Sequence, residues 1–219
     1  MGSDVTRALE QIAEIREQLG RAAVYRGWRS VPVASSGLVG LAAALWQAEA
    51  GPLEPRRFTA YWLVVGVVAM LVGSAEIVWH YLARASDMER ARARLVVGQF
   101  LPALMAGALV TAAFIRLDPA LVALLPGVWS LFFGVGIFAT RPYTPRGAGW
   151  VALFYWSAGV GLLWTTHPAG ALSPWTVGGT FGAGQLLAAA VLYFTLERPQ
   201  REHPFTIAGD SPHDTTPRD

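Results

Sequence analysis

Six long apolar stretches constrain the fold of this chain more than any other feature. An α-helix needs about 20 largely apolar residues to cross the hydrocarbon core of a membrane, and each stretch meets or approaches that length. The stretches are rich in leucine, alanine, valine and glycine and do not alternate apolar with polar residues, which disfavours transmembrane strands. They occupy 31–47, 58–82, 95–115, 120–140, 149–166 and 175–196. The sequence therefore predicts an all-α integral membrane protein with six transmembrane helices in a domain over 30–196.

The composition excludes several classes of function. Hydrophobic residues make up 53% of the 219 positions and charged residues 15%, which is too apolar for an ordinary soluble domain. The chain has no cysteine, and it carries no phosphate-binding loop, HExxH, GxSxG or Gly-rich dinucleotide turn. We therefore expect no enzymatic activity, no cofactor and no metal. The basic residues lie between apolar stretches rather than on one amphipathic face, so nucleic acid is not an expected partner.

Arginine placement predicts the orientation in the membrane. Basic residues near helix ends are retained in the cytoplasm, and 14 of the 17 arginines fall in the N-terminal segment, the second and fourth loops and the C-terminal tail. The other side holds Arg56, Arg57 and Arg116. Most tryptophans fall near predicted helix ends, at headgroup level. This pattern predicts a multi-pass protein of the bacterial cytoplasmic (inner) membrane with both termini in the cytoplasm.

A short amphipathic helix is predicted before the first span, within 1–29. Apolar residues recur there at intervals of three and four, and Ser3 or Asp4 could cap the helix. Its apolar face includes Ile12, Ile15 and Leu19. Three uses of this face remain open: contact with the membrane surface, packing on the protein's own loops, and pairing with another chain.

The C-terminal segment 197–219 differs sharply from the spans. It is rich in proline, charge and small polar residues, which bury too little apolar area to offset the entropy of ordering. We therefore predict a disordered cytosolic tail.

Polar residues inside the predicted spans are the candidates for chemistry. Glu76 and His80 lie one helical turn apart in the second span, and Gln99 lies at similar depth in the third. The three could form a proton or cation site, in which burial raises the pKa of a carboxyl group beside an imidazole. They could also form a hydrogen-bonded cluster that orients two helices, because the favourable insertion energy of the surrounding apolar residues outweighs the cost of inserting one acid.

Gln185 is the corresponding polar residue of the sixth span. The glycines around it, among them Gly178 and Gly182, leave room for close helix approach, and Ser36, Gly40 and Ala44 form a similar ladder on the first span. A substrate pathway and a packing seam both fit this pattern, and small-residue ladders are mostly packing seams.

Four segments carry a resemblance to a known family. They are ALEQIAEIREQLGRAAVYRGWRSVPVASSGLVGL, EIVWHYLARASDMERARARLVVGQFLPAL, PGVWSLFFGVGIFA and FGAGQLLAAAVLY. In their arrangement the chain resembles a family of uncharacterised bacterial six-span inner-membrane proteins, often encoded beside a winged-helix transcriptional regulator. The resemblance implies a regulatory or accessory membrane protein, and it gives Glu76 and His80 no role.

Two functions follow as expectations. The first is a non-enzymatic membrane accessory or signalling component whose cytosolic helix and second loop contact a protein partner, a second copy or anionic lipid head groups. The loop residues expected to make this contact are Arg84, Arg90, Arg92 and Arg94. The alternative is a small proton- or cation-linked transporter or channel that uses Glu76 and the glycine-rich sixth helix.

Overall fold

A computed structural model of the chain describes residues 29–83, 87–145, 147–166 and 172–198. Helix accounts for 91% of these residues and none is in a β-strand, so the predicted all-α class is confirmed. The described ranges contain six α-helices: α1 Ser30–Ala50, α2 Pro55–Ala83, α3 Asp87–Leu117, α4 Leu125–Ala139, α5 Ala148–Thr165 and α6 Trp175–Leu192. Short 3-10 helices, Pro119–Leu124 and Arg141–Tyr143, flank α4, and a π-helical turn, Tyr193–Glu197, extends α6.

Five helical stretches are long and apolar enough to cross a membrane, as expected of a multi-pass membrane protein. They are Ser30–Ala50, Pro55–Ala75, Glu89–Leu117, Pro119–Ala139 and Trp175–Glu197. The predicted fifth span, α5, is not among them. It has 18 residues, including three tryptophans and a tyrosine that reduce its apolar character, and it measures about 27 Å against a hydrocarbon core of about 30 Å. A sixth crossing therefore stays a prediction.

The helix ends differ from the apolar stretches in two places. The helix α3 begins eight residues before the stretch 95–115, and Asp87 and Glu89 in its first turn stabilise the positive end of its dipole. The stretch 120–140 opens with the 3-10 helix, capped by the Asp118 carboxylate, which accepts a hydrogen bond from the Ala120 N–H at 2.8 Å. The α-helix then starts at Leu125, where Pro126 can occupy the first turn without losing a hydrogen bond.

The helices pack in the order α2, α1, α6, α5, α4, α3, and adjacent helices in this order run antiparallel. The helix α1 packs on α2 and α6, α4 packs on α3 and α5, and α6 also contacts α5 and α4. Although α2 and α3 are consecutive, they barely touch each other. The 3-10 helix Pro119–Leu124 contacts both α2 and α3. It therefore closes the gap between them at the end of the bundle where α2 begins and α3 ends.

Aromatic rings form the centre of the α3 to α6 half. The Phe133 ring of α4 lies 5.2 Å from Phe100 of α3, 4.8 Å from Tyr155 of α5 and 5.3 Å from Phe181 of α6, measured between ring centroids. Tyr155 is fully buried, and its hydroxyl donates to the Phe181 carbonyl oxygen at 3.3 Å. Edge-on contacts of this kind add to the packing energy of the bundle.

The first and last described helices meet at one end of the bundle. The backbone N–H of Ser30 donates to the Glu197 carboxylate at 2.7 Å, which caps the start of α1 from the turn that follows α6. Because neighbouring helices are antiparallel, the end of α2, the start of α3 and the α4–α5 connection lie at this same end. We call it the basic end, defined by Arg29, Arg90, Arg92, Arg94, Arg141 and Arg198.

Two predicted segments fall mainly outside the described residues. The amphipathic helix with Ile12, Ile15 and Leu19 is one, and the tail beyond Arg198 is the other. Glu197 and Arg198, placed in the tail by the sequence, are helical.

Candidate functional site

Gln185 lies in a close-packed seam between α1 and α6. A Cβ added to Gly178 would stand 2.5 Å from the carbonyl oxygen of Gly40, so the two backbones approach directly. The Gln185 Cβ is 3.0 Å from where a Cβ of Gly37 would lie, and Gly182 faces Leu41. We call Gly37, Gly40, Gly178 and Gly182 the α1–α6 seam. Its contacts are those of helix packing.

Gln99 lies on a different surface from Gln185. The helix α3 packs on α4 through Ala103, Gly107 and Thr111, whereas the Gln99 side chain is exposed. The helices α3 and α6 are not packed neighbours, so these two amides are not brought together. Glu76 and His80 lie in α2, but their side chains fall outside the described part of the chain. The predicted polar cluster therefore stays a prediction.

A polar link between α3 and α4 was not foreseen from the sequence. The Trp129 indole N–H donates to the Thr111 hydroxyl at 2.8 Å, and that hydroxyl donates to the Gly107 carbonyl oxygen at 2.7 Å. The sequence signal was available, since a tryptophan deep in a span needs a partner for its N–H and Thr111 lies on the preceding span. This link fixes the α3–α4 pair at membrane depth.

Gln47 is a buried amide for which the sequence indicated no role. It is only 3% exposed, next to the apolar cluster of Ala44, Phe58 and Val122. Neither its amide nitrogen nor its oxygen has a hydrogen-bond partner in the structure described, and the same holds for the indole nitrogen of Trp62. Such groups destabilise a fold by about 1–3 kcal/mol each when unpaired.

The basic end carries the expected arginines on several different elements. Arg90 is 3.9 Å from the Asp87 carboxylate one turn earlier, Arg94 is exposed, and the Arg141 guanidinium lies 5.0 Å from the centre of the Phe138 ring. Arg84 and the Arg92 side chain lie outside the described residues. The opposite end has Arg56, Arg57 and Arg116. Among the described residues the basic end thus holds six arginines and the opposite end three.

No group of three or more His, Cys, Asp or Glu side chains that could hold a metal occurs among the described residues. No family model matches the chain, and no curated protein or solved structure matches it significantly. The resemblance to six-span inner-membrane proteins therefore stays a prediction.

Proposed function

We propose that this chain is a non-enzymatic accessory or signalling component of the bacterial inner membrane, crossing it six times and acting through its basic end in the cytoplasm. The observation that carries the proposal is the unequal distribution of arginine between the two ends of the bundle. Positive charge near helix ends is retained on the cytoplasmic side. The same charges attract anionic lipid and acidic protein surfaces there.

The lengths of α2 and α3 support an exposed structure at this end. They have 29 and 31 residues, or about 44 and 47 Å, which exceeds a hydrocarbon core of about 30 Å. Asp87, Arg90 and Arg94 at the start of α3 cannot lie in hydrocarbon without a large penalty. In this proposal the excess length at the start of α3 extends beyond the hydrocarbon at the basic end, on the cytoplasmic side.

The transport alternative has less support. It needs a polar path through the membrane, yet Gln185 lies against Gly37 in a packing seam and Gln99 is exposed on a helix that does not pack on α6. Hydroxyl groups in the described spans mostly bond to backbone of their own helix, as Ser130 does to the Pro126 carbonyl oxygen and Ser74 to that of Met70.

A photocrosslinking amino acid at two matched acidic positions tests the proposal in living cells. Asp87 is exposed at the basic end and Glu54 is exposed at the opposite end. We expect a discrete protein or lipid adduct from position 87 and none of the same mass from position 54. Exchanging both Arg90 and Arg94 for Gln should reduce the yield at 87, whereas exchanging Arg56 and Arg57 should not. Equal patterns at both ends, or no adduct at 87, would contradict it.

A further inference from the structure

Two exposed tryptophans mark the ends of the outward side of α5. Trp150 is 70% exposed in the first turn of this helix, and Trp164 is 86% exposed in the last turn. Because they are 14 residues apart, which is nearly four helical turns, both side chains lie on the same side of the helix. Leu153, Ser157 and Val160 lie between them on this side and are also exposed. We call these five residues the outer α5 face.

Between its two ends the outer α5 face is suited to hydrocarbon. Leu153 and Val160 are apolar, and the Ser157 hydroxyl donates to the Leu153 carbonyl oxygen of its own helix at 2.9 Å. An indole at each end is typical of a helix that crosses a bilayer, because tryptophan prefers the headgroup level on both sides. Trp150 and Trp164 therefore mark the two edges of the hydrocarbon that this face contacts.

The distance between these two edges is short. Trp150 and Trp164 are about 21 Å apart along the helix axis, whereas the hydrocarbon core of a typical bilayer is about 30 Å thick. Tilting the helix would reduce this distance further, since the membrane normal measures only its projection. The helix itself ends one residue after Trp164, because Thr166 has extended backbone. A bilayer of ordinary thickness would therefore place one of the two indoles in hydrocarbon, where its N–H finds no partner.

The helix α3 matches a bilayer of ordinary thickness. Arg94 and Arg116 are exposed on this helix and enclose a run of residues without any charge. They are 22 residues apart, which is about 33 Å along the axis. Because α3 and α5 both pack on α4, two helices of the same bundle match hydrocarbon of different thickness.

We propose that the outer α5 face contacts a locally thinned bilayer, in which the hydrocarbon is roughly 10 Å thinner than beside α3. A bilayer can thin beside a short span at a modest cost per ångström, through acyl chains that are shorter or less extended. Such lipid lets both indoles of α5 reach the headgroup level at once. The proposal rests on the six proposed crossings, since this face contacts both headgroup layers only if α5 crosses.

Spin labels at the midpoints of α5 and α3 measure the thickness on each side, because the chain has no cysteine of its own. Ser157→Cys stands halfway between the two tryptophans, and Met105→Cys stands halfway between Arg94 and Arg116. Each labelled variant is reconstituted in dioleoylphosphatidylcholine vesicles. The accessibility of the nitroxide to oxygen and to a water-soluble nickel complex gives its immersion depth. We expect a depth of about 10 Å at position 157 and about 16 Å at position 105.

Exchanging both Trp150 and Trp164 for Leu tests whether the indoles set the edges. The hydrocarbon can then extend to the ends of α5, which measures about 27 Å, so the label at position 157 should move about 3 Å deeper. Trp79→Leu is the matched control, because Trp79 is similarly exposed on α2, and it should leave the depth at position 157 unchanged.

The possible failures of this proposal and of the six crossings are distinguishable. Depths of about 15 Å at both labelled positions would overturn the thinning and leave the six crossings in place. A label at position 157 that reacts to the nickel complex as it would in water would overturn both. An unchanged depth after both tryptophans are exchanged would show that they do not mark the edges of the hydrocarbon, which would also overturn the proposal.

Discussion

The consecutive spans α3 and α4 are similarly apolar, yet they differ in how the bundle uses them. In the apolar window of Pro119–Ala139, 44% of the residues are buried inside the protein, against 11% for Glu89–Leu117. The helix α4 packs between α3 and α5, whereas α3 packs extensively on α4 alone among the described helices. A Cβ on Gly134 would stand 2.6 Å from the Trp156 ring, and one on Gly136 would stand 2.6 Å from the Phe100 ring, while Gly98 of α3 faces open space. Apolar character alone therefore does not decide which helices form the core; the number of packed neighbours and the close contacts with them do.

The largest expected effect comes from the ring at the centre of the packed half. Tyr155→Ala removes contacts with Phe133 and Phe181, and we expect it to lower the free energy of unfolding by about 3–5 kcal/mol. Trp164→Ala on the same helix is the control, because Trp164 is 86% exposed and its loss should change little. Denaturant titration in detergent, followed by tryptophan fluorescence, measures both. Equal losses of unfolding free energy in the two variants would contradict the difference between packed and exposed surfaces.

The next largest loss of unfolding free energy is expected from filling the space at a glycine of the α1–α6 seam. Gly178→Ala places a Cβ against the backbone of Gly40 and should lower the unfolding free energy by about 1–3 kcal/mol. Gly66→Ala meets nothing within 4 Å and should be neutral or raise it by up to about 1 kcal/mol, since alanine favours helix. The same titration compares them. If Gly178→Ala were as well tolerated as Gly66→Ala, the α1–α6 seam would not be a close contact.

A smaller loss of unfolding free energy is expected at the face of α3 that packs on α4. Thr111→Val removes the hydroxyl that accepts from Trp129, and we expect a loss of about 0.5–2 kcal/mol, as for hydrogen bonds between membrane helices. Thr111→Ser keeps the hydroxyl and should retain most of the stability. The near-ultraviolet circular dichroism spectrum of the tryptophans measures this contact. It should change in Thr111→Val and remain unchanged in Thr111→Ser. An unchanged spectrum and stability for Val would show that the bond contributes nothing.

The sequence predicts where the helices lie along the chain but not which helices pack together. Apolar length predicts the five helical stretches that are long and apolar enough to cross a membrane, because hydrocarbon requires internally bonded backbone. It does not reveal that α2 and α3 separate, since their apolar residues look the same whether they face lipid or protein. The glycine ladder around Gly178 did indicate close approach, and Gly178 lies against a backbone, whereas Gly98 is open.

For the candidate site residues, the sequence predicts their position along the helix but not their surroundings. Counting residues from the ends of an apolar stretch places Gln99 and Gln185 within the membrane, and that placement needs only helical rise. Their surroundings depend on which helices pack together, which apolar patterning does not encode. The Ser30 to Glu197 cap was also beyond reach, because it joins residues 167 positions apart through the antiparallel pairing of α1 and α6.

The central claim, six crossings with the basic end in the cytoplasm, is tested most directly by labelling single cysteines in a chain that has none. Asp87→Cys and Pro142→Cys lie at the basic end, and Glu54→Cys and Ser173→Cys lie at the other, with α5 between positions 142 and 173. We predict that a membrane-impermeant maleimide applied to intact cells with a permeable outer membrane labels positions 54 and 173. Positions 87 and 142 should react only after the inner membrane is opened. Labelling of 87 in intact cells would contradict the orientation, and equal access of 142 and 173 would show that α5 does not cross.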